Sequence, residues 1–168
     1  LLTAAGLALG LSCGAAAGPG NGPTDGLGCP DGQNIVVHLK RHINDLQGAQ
    51  VGIRLASLME KQVIDMPGKS PDQPVNVILF LTLQGPRLID PAQPQDLVFG
   101  SAPGELGTLV EGFLGVGGTI YACPLCAKEI GLGGSDLLYA DLYPDNVKIA
   151  GEADIVKTFL CADKILDF

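Results

Sequence analysis

Residues 119–128 have the sequence TIYACPLCAK, and this stretch decides the fold that we predict for the chain. A β-rich run ends at Cys123, Pro124 follows, and Cys126 comes three positions after the first cysteine. Proline is favoured at the first position of a helix, because its φ angle is preset and its missing N–H is not needed there. The stretch therefore predicts a strand at 119–123 and a helix at 124–130, with Cys123 at or near the N-cap. At the start of a helix, free main-chain N–H groups and the positive end of the helix dipole would favour the thiolate form of Cys123.

The rest of the chain alternates in the same way between β-branched runs and amphipathic segments. The other predicted strands are 35–39, 75–83, 146–150 and 164–168. The other predicted helices are 45–61, 104–115 and 152–161, with a helical turn at 136–143. This alternation predicts a flavodoxin-like α/β fold with three layers (α/β/α), in which a mainly parallel sheet of about five strands carries helices on both faces.

The carboxyl ends of parallel strands bring several chemically active side chains to one edge of the predicted sheet. These are His38 and His42 after the first strand, Arg87 after the second, and Cys123 and Cys126 after the third. The histidines and Arg87 are candidate auxiliary residues: the histidines would stabilise a thiolate, and Arg87 would contact an anion. The alternatives are a core histidine with satisfied hydrogen bonds for His38, a solvated loop for His42 and a surface ion pair for Arg87.

The first 33 residues differ in composition from the rest. Residues 1–17 hold an apolar run followed by small residues, which is typical of a secretory signal peptide. We expect its start to be missing, since no initiator Met and no basic segment precede the run. The run is too short for a transmembrane span. Residues 18–33 predict a flexible tether, and 34–168 the folded domain. We expect export to a bacterial periplasm, with a lipid anchor at Cys13 as the alternative.

Charge and motifs narrow the classes of function. The formal net charge of −8 argues against a nucleic-acid partner, because phosphate binding needs a basic surface. The chain has no Gly-rich phosphate loop, no G-x-S-x-G nucleophile motif and no evident acid–base pair of carboxylates. We therefore expect no cofactor, and the cysteines are the remaining candidates for chemistry.

Six segments resemble the DsrE family of sulfur-relay proteins. They are IVVHLK at 35–40, LASLM at 55–59, VILFLTLQGPRL at 77–88, IYACPLCAK at 120–128, VKIAGEADIV at 147–156 and ADKILDF at 162–168. The resemblance covers residues 34–168, and the strand, the cysteine turn and the final segment come in the family's order. It implies a three-layer α/β/α fold and assembly into a homotrimer or homohexamer.

The resemblance also implies a function. Family members carry sulfur as a persulfide on a cysteine after the third or fourth strand, and Cys123 matches that position. One subgroup uses a second cysteine nearer the C-terminus, which Cys161 would match. The chain would then exchange sulfur with donor and acceptor proteins and would be at most a sulfurtransferase-like enzyme. It departs from the family in its expected export and in its extra thiol, Cys126.

Two other functions remain open at this point. The first is an exported metal-binding module that uses Cys123, Cys126 and a histidine, although a lone C-x-x-C supports no four-cysteine zinc site. The second is a structural oligomer whose cysteines are inert, since cysteine is often buried. Cys126 itself is either a resolving thiol for Cys123 or a core side chain, and Cys161 is either a sulfur-handling residue or buried on the inner face of its helix.

Overall fold

The structure is a computed structural model that describes residues 28–62, 73–100 and 104–168. Its sheet has five strands: β1 (Gln33–Leu39), β2 (Val75–Leu81), β3 (Thr119–Ala122), β4 (Val147–Ile149) and β5 (Lys164–Asp167). They lie in the order β4-β3-β2-β1-β5, and every neighbouring pair is parallel. The predicted signal peptide, 1–17, and the tether up to residue 27 lie outside the described residues.

Four α-helices connect these strands: α1 (Leu46–Glu60), α2 (Leu106–Leu114), α3 (Pro124–Glu129) and α4 (Glu152–Leu160). Short 3-10 helices at Ile43–Asp45 and Gly85–Ile89 follow β1 and β2. None of the helices in the described ranges is long and apolar enough to cross a membrane. The predicted helical turn at 136–143 is instead a series of tight turns, in which Tyr139 has a left-handed φ of 72° that is incompatible with a helix.

Side chains of each strand alternate between two unequal faces of the sheet. The face under α1 and α2 holds the main core, in which residues such as Val37, Leu79 and Ile120 pack on Ile53 and Val110. The face under α4 holds a smaller cluster of Val36, Phe80 and Ala150, with Tyr121, Cys123, Ile155, Phe159 and Ala162 packed against it. Helices therefore cover both faces, and the predicted three-layer α/β fold is confirmed.

The smaller face carries two of the predicted site residues near the carboxyl ends of its strands. His38, two residues beyond Val36 on β1, packs its ring on Phe80 with 5.9 Å between the ring centres. The ring of Phe159 on α4 meets the same histidine at 6.4 Å. Cys123 lies on this face as well. The fold thus brings a histidine and a cysteine to one edge of the sheet and to one face.

Candidate functional site

Cys123 lies at the junction between β3 and α3, as the sequence predicted. It is the N-cap residue of α3, and Pro124 occupies the first helical position. Its N–H donates to the carbonyl of Leu81 at 2.8 Å, and its own carbonyl accepts the N–H of Ala127 at 2.9 Å. The thiol is free and partly buried. The main chain around Cys123 is therefore fixed by the sheet on one side and the helix on the other, and the residue is only partly buried.

Cys126 is the second free thiol, and it lies beside Cys123. Burial raises the pKa of the Cys126 thiol, and the adjacent Cys123 sulfur raises it further. The N–H of Leu83 donates to the Cys126 sulfur at 3.1 Å and partly opposes these effects. Cys126 is thus held as a protonated thiol beside Cys123, which is the arrangement expected of a resolving partner rather than an attacking nucleophile.

His38 is brought into a chain of side chains that the sequence did not single out. Its Nδ1 lies 2.8 Å from Oδ1 of Asp167, and its Nε2 lies 2.7 Å from Oγ1 of Thr82. The second carboxylate oxygen of Asp167 binds Nζ of Lys40 at 3.0 Å. Lys40 holds the pKa of the Asp167 carboxyl below its usual value, and His38 adds to the effect. A carboxylate, an imidazole and a hydroxyl are therefore connected in series at the edge of the sheet.

Thr82 and Asp167 carried a signal that sequence reasoning missed. Thr82 directly follows β2, and Asp167 is the last residue of β5. The rule that places reactive groups beyond the carboxyl ends of parallel strands applies to both. Thr82 falls inside the predicted strand 75–83 and Asp167 inside the predicted strand 164–168, so neither lies in a loop beyond a predicted strand end.

His42 and Arg87 form a separate group. His42 is fully buried, and within the described residues neither ring nitrogen has a hydrogen-bond partner. Burial lowers the pKa of His42, Arg87 lowers it further, and Asp90 opposes them. Arg87 donates from Nε to Oε1 of Gln84 at 2.7 Å. Among the described residues no hydrogen bond or ion pair joins His42 or Arg87 to a free thiol. The solvated loop considered for His42 is wrong, because the side chain is buried.

Cys161 has no free thiol. Its sulfur is bonded to that of Cys29, with 5.5 Å between the two Cα atoms. Cys161 is the C-cap residue of α4, and Cys29 lies four residues before β1. The second sulfur-handling cysteine that the resemblance implied is therefore not supplied by Cys161, because its sulfur is already used to fix the segment before β1 to the end of α4.

Metal ligands do not converge in the described part of the chain, where no three His, Cys, Asp or Glu side chains are placed to hold an ion. The metal-binding alternative thus has no set of ligands among these residues. A cavity of about 150 Å³ lies under α4, but Asn34, Ile78 and Thr158 place it toward the amino ends of the strands, and neither free thiol lines it. The chemistry of the edge rests on the two thiols and the Asp167–His38–Thr82 chain.

Comparisons with known proteins support the fold. No family model matches the chain, and no curated protein matches it. Among solved structures, the ychN protein from E. coli is similar, with a TM-score of 0.59 and 18% identity over 81% of this chain and 99% of that chain. The protein of unknown function MTH1491 from Methanobacterium thermoautotrophicum aligns with a TM-score of 0.49 and 14% identity over 80% of this chain and 98% of that chain. At 18% identity the similarity to the ychN protein shows a shared fold.

Proposed function

We propose that the protein is a sulfur carrier of the DsrE type, in which Cys123 accepts sulfur as a persulfide and passes it to a partner protein. The observation that carries this proposal is the free, partly exposed Cys123 thiol at the end of β3. It occupies the position that the resemblance implies for the sulfur-bearing cysteine. The protonated Cys126 beside it and the histidine on the same face give it a neighbourhood suited to thiol chemistry.

The transfer needs no oxidant or cofactor. In loading, the Cys123 thiolate attacks the outer sulfur of a donor persulfide, so that a new S–S bond forms, the donor S–S bond breaks and the donor leaves as a thiolate. In unloading, an acceptor thiolate attacks the outer sulfur on Cys123, and the Cys123 thiolate leaves. Each step is a displacement at sulfur, and the number of disulfide-level bonds does not change.

Mass spectrometry after incubation with cysteine persulfide tests the proposal. The full chain with Cys126→Ser, reduced beforehand, should gain the mass of one sulfur atom on the peptide that contains Cys123. The wild type should gain one sulfur or, where Cys126 displaces hydrosulfide from the Cys123 persulfide, form the Cys123–Cys126 disulfide. Cys123→Ser in the same background is the matched control and should gain none. A correctly folded Cys126→Ser variant that gains no sulfur would contradict the proposal and leave inert cysteines as the better account.

A second candidate function, thiol–disulfide exchange, is favoured by the contact between the two free thiols in a C-x-x-C segment. Cys123 would attack a disulfide substrate, and Cys126 would then displace the mixed disulfide. Turnover of a disulfide substrate with a supplied reductant should need both cysteines. Loss of turnover in Cys126→Ser, with sulfur loading retained, would show that the pair performs both reactions.

The carrier is further proposed to be exported and to assemble as a homotrimer or homohexamer. The Cys29–Cys161 disulfide supports export, because such bonds persist in oxidising compartments. Assembly is what the resemblance implies, and Leu125 and Leu142, exposed at 73% and 74%, are apolar side chains that such an interface could cover. The mass of the natively isolated protein would report cleavage of the signal and any lipid on Cys13, and sedimentation would give the subunit number.

A further inference from the structure

The tautomer of His38 is fixed by its carboxylate neighbour. Asp167 uses one oxygen for Lys40 and the other for Nδ1 of His38, at 3.0 Å and 2.8 Å. An ionised carboxylate only accepts hydrogen bonds, so Nδ1 must carry the hydrogen. In the neutral ring Nε2 is then an acceptor, and it takes its hydrogen bond from the hydroxyl of Thr82 at 2.7 Å.

The direction of the Thr82 hydroxyl therefore depends on the charge of His38. When the ring is neutral, the hydroxyl donates to Nε2. When the ring is protonated, Nε2–H donates to Oγ1 instead, and the hydroxyl hydrogen is released to a different acceptor. A serine hydroxyl in the hydrolase triad exchanges its proton with a histidine by the same means.

The residue beside Thr82 at the end of the next strand is Cys123. Leu81 is paired with Ala122 across β2 and β3, so the residues that follow them, Thr82 and Cys123, lie side by side. Adjacent strands are roughly 4.8 Å apart. Both side chains lie on the face of Phe80, since Thr82 binds the ring of His38 there and Cys123 packs against the same cluster. A persulfide on Cys123 would extend its reach by about 2 Å, the length of one S–S bond.

We propose that Asp167, His38 and Thr82 form a proton relay that ends at the sulfur of Cys123. The relay rests on the proposed function, in that it serves the loading and unloading of this thiol. Thr82 would contact the reacting sulfur, while His38 and Asp167 are positioning residues that act through it. The relay also explains why a hydroxyl, a histidine and a carboxylate occupy the ends of three neighbouring strands.

Protons are balanced in both the loading and the unloading of Cys123. Before loading, the Cys123 thiol gives its proton to Oγ1 of Thr82, while the hydroxyl proton moves to Nε2 of His38. The thiolate then attacks the donor persulfide, and the imidazolium is stabilised by Asp167. During unloading the imidazolium returns its proton through Thr82 to the departing Cys123 thiolate. One proton enters and leaves the relay in each cycle, and neither an oxidant nor a reductant is required.

Other charged and titratable groups near His38 are few in the described residues. Lys40 of β1 reaches the ring only through Asp167 of β5, and α4 and β2 present aromatic rings to it. On the far side of the face, Lys148 pairs with Asp154 at 3.0 Å and lies over the ring of Tyr121 at 4.7 Å. A pH dependence that requires both Asp167 and Thr82 would therefore report the relay rather than a more distant pair.

The Asp167–His38 contact has a simpler interpretation, in which it only fastens β5 to β1. The two interpretations differ in their pH dependence. A relay lowers the barrier only while the thiol is protonated, so its effect should vanish at a pH high enough to ionise the thiol without help. A purely structural contact would affect the rate equally at every pH, and it gives the Thr82 hydroxyl no part.

The test compares Thr82→Val with Thr82→Ser in a Cys126→Ser background, so that Cys123 is the one free thiol among the described cysteines. Valine matches the shape of threonine and lacks the hydroxyl, whereas serine keeps it. Rates of sulfur uptake from cysteine persulfide and of alkylation by iodoacetamide are measured by intact mass from about pH 6 to about pH 9. Circular dichroism confirms that each variant is folded, and Asp167→Asn tests the carboxylate independently.

At neutral pH we expect Thr82→Val and Asp167→Asn to react more slowly than the Cys126→Ser background, on the order of tenfold or more. At high pH their rates should converge on the background rate. Thr82→Ser should remain within about twofold of the background throughout. A Thr82→Val profile that coincides with the background, or a Thr82→Ser variant as slow as Thr82→Val, would overturn the relay. Equal sulfur uptake by every variant would leave the carrier function intact. Relay-dependent alkylation without any sulfur uptake would instead overturn the carrier function alone.

Discussion

The main-chain N–H of Leu83 points at the sulfur of Cys126, 3.1 Å away. Leu83 has a left-handed φ of 53°, which is unfavourable for a leucine. The turn after β2 thus holds an uncommon conformation at the point where it meets the second thiol. Because Thr82 precedes this turn, the same segment reaches His38 on one side and Cys126 on the other.

The two thiols should react differently with a disulfide reagent. Oxidised glutathione should first attach to Cys123, and the adjacent Cys126 should then displace the glutathione to leave an intramolecular disulfide. Cys126→Ser cannot complete the second step and should keep one glutathione on Cys123. Intact mass under non-reducing conditions distinguishes the products. Wild-type protein that retains glutathione would show that Cys126 does not act as a resolving thiol.

The Cys29–Cys161 bond should stabilise the fold substantially. It joins positions 132 residues apart, and closing so long a loop removes much of the entropy of the unfolded chain. We expect Cys29→Ser with Cys161→Ser to lower the free energy of unfolding by about 2–5 kcal/mol. Urea unfolding of the oxidised wild type and the double variant measures the difference, with Cys126→Ser as the control for loss of a free thiol. Coincident unfolding curves would argue against this role.

His42 should make the protein less stable in acid. Burial and Arg87 lower the pKa of His42 below 6.5, so the unfolded chain binds a proton more readily than the folded one. The part of the free energy of unfolding that depends on the neutral His42 ring is fully present above the pKa of this histidine in the unfolded chain. It declines as the pH falls below that pKa. Urea unfolding at about pH 7.5 and about pH 5.5 should show this loss, and His42→Leu should reduce it. His38→Gln, which changes the other histidine, should leave the loss in place.

Glu60 should tolerate the loss of its negative charge, but not the loss of the side-chain oxygen that accepts a hydrogen bond. Its Oε2 accepts a hydrogen bond from the N–H of Val77 at 2.7 Å. Val77 lies one residue before Ile78, the first residue of β2 that pairs with β3. Burial raises the pKa of the Glu60 carboxyl, so its ionised form costs stability as the pH rises above 4.5.

At neutral pH we therefore expect Glu60→Gln to equal or exceed the wild type in stability. Glu60→Ala should lose about 1–3 kcal/mol, because the buried Val77 N–H is left without a partner. Urea unfolding of the two variants provides the comparison. Equal losses in both would mean that the hydrogen bond contributes nothing.

Two glycines should respond oppositely to alanine. A Cβ at Gly112, inside α2, meets open space, so Gly112→Ala should add about 0.5–1 kcal/mol through helix propensity. A Cβ at Gly118 would overlap the ring of Phe113, and Gly118→Ala should destabilise the protein. Thermal unfolding of both variants checks the signs, and a stabilising Gly118→Ala would contradict the close packing of the Phe113 ring on Gly118.

The sequence predicted the fold well because each strand and helix carries its own local pattern. All five strands were placed within two residues of their observed ends, and β2 stops at Leu81 rather than residue 83 because Leu83 turns into a left-handed conformation. The turns near Tyr139 were not predicted, because the apolar pattern around this residue resembles that of a helix and does not indicate its left-handed conformation.

The site was only partly predictable. The position of Cys123 follows from local sequence, since proline starts the helix directly after it. The contacts of His38 with Thr82 and Asp167 span 44 and 129 residues of sequence, and pairing over such distances depends on the order of strands in the sheet. The Cys29–Cys161 bond depends in the same way on where α4 ends.

Asp167 lies on a strand at the edge of the sheet, and β1 is the one described strand that pairs with it. Edge strands open locally at a lower cost in free energy than the centre of a sheet. Brief fraying of β5 would therefore separate the carboxylate from His38 while the main core stays folded. Because Cys161 is fixed to Cys29 just before this strand begins, the disulfide limits how far such an opening can spread. The Cys29–Cys161 disulfide, although remote from Cys123 and Cys126, would in this way help to keep these two thiols able to react.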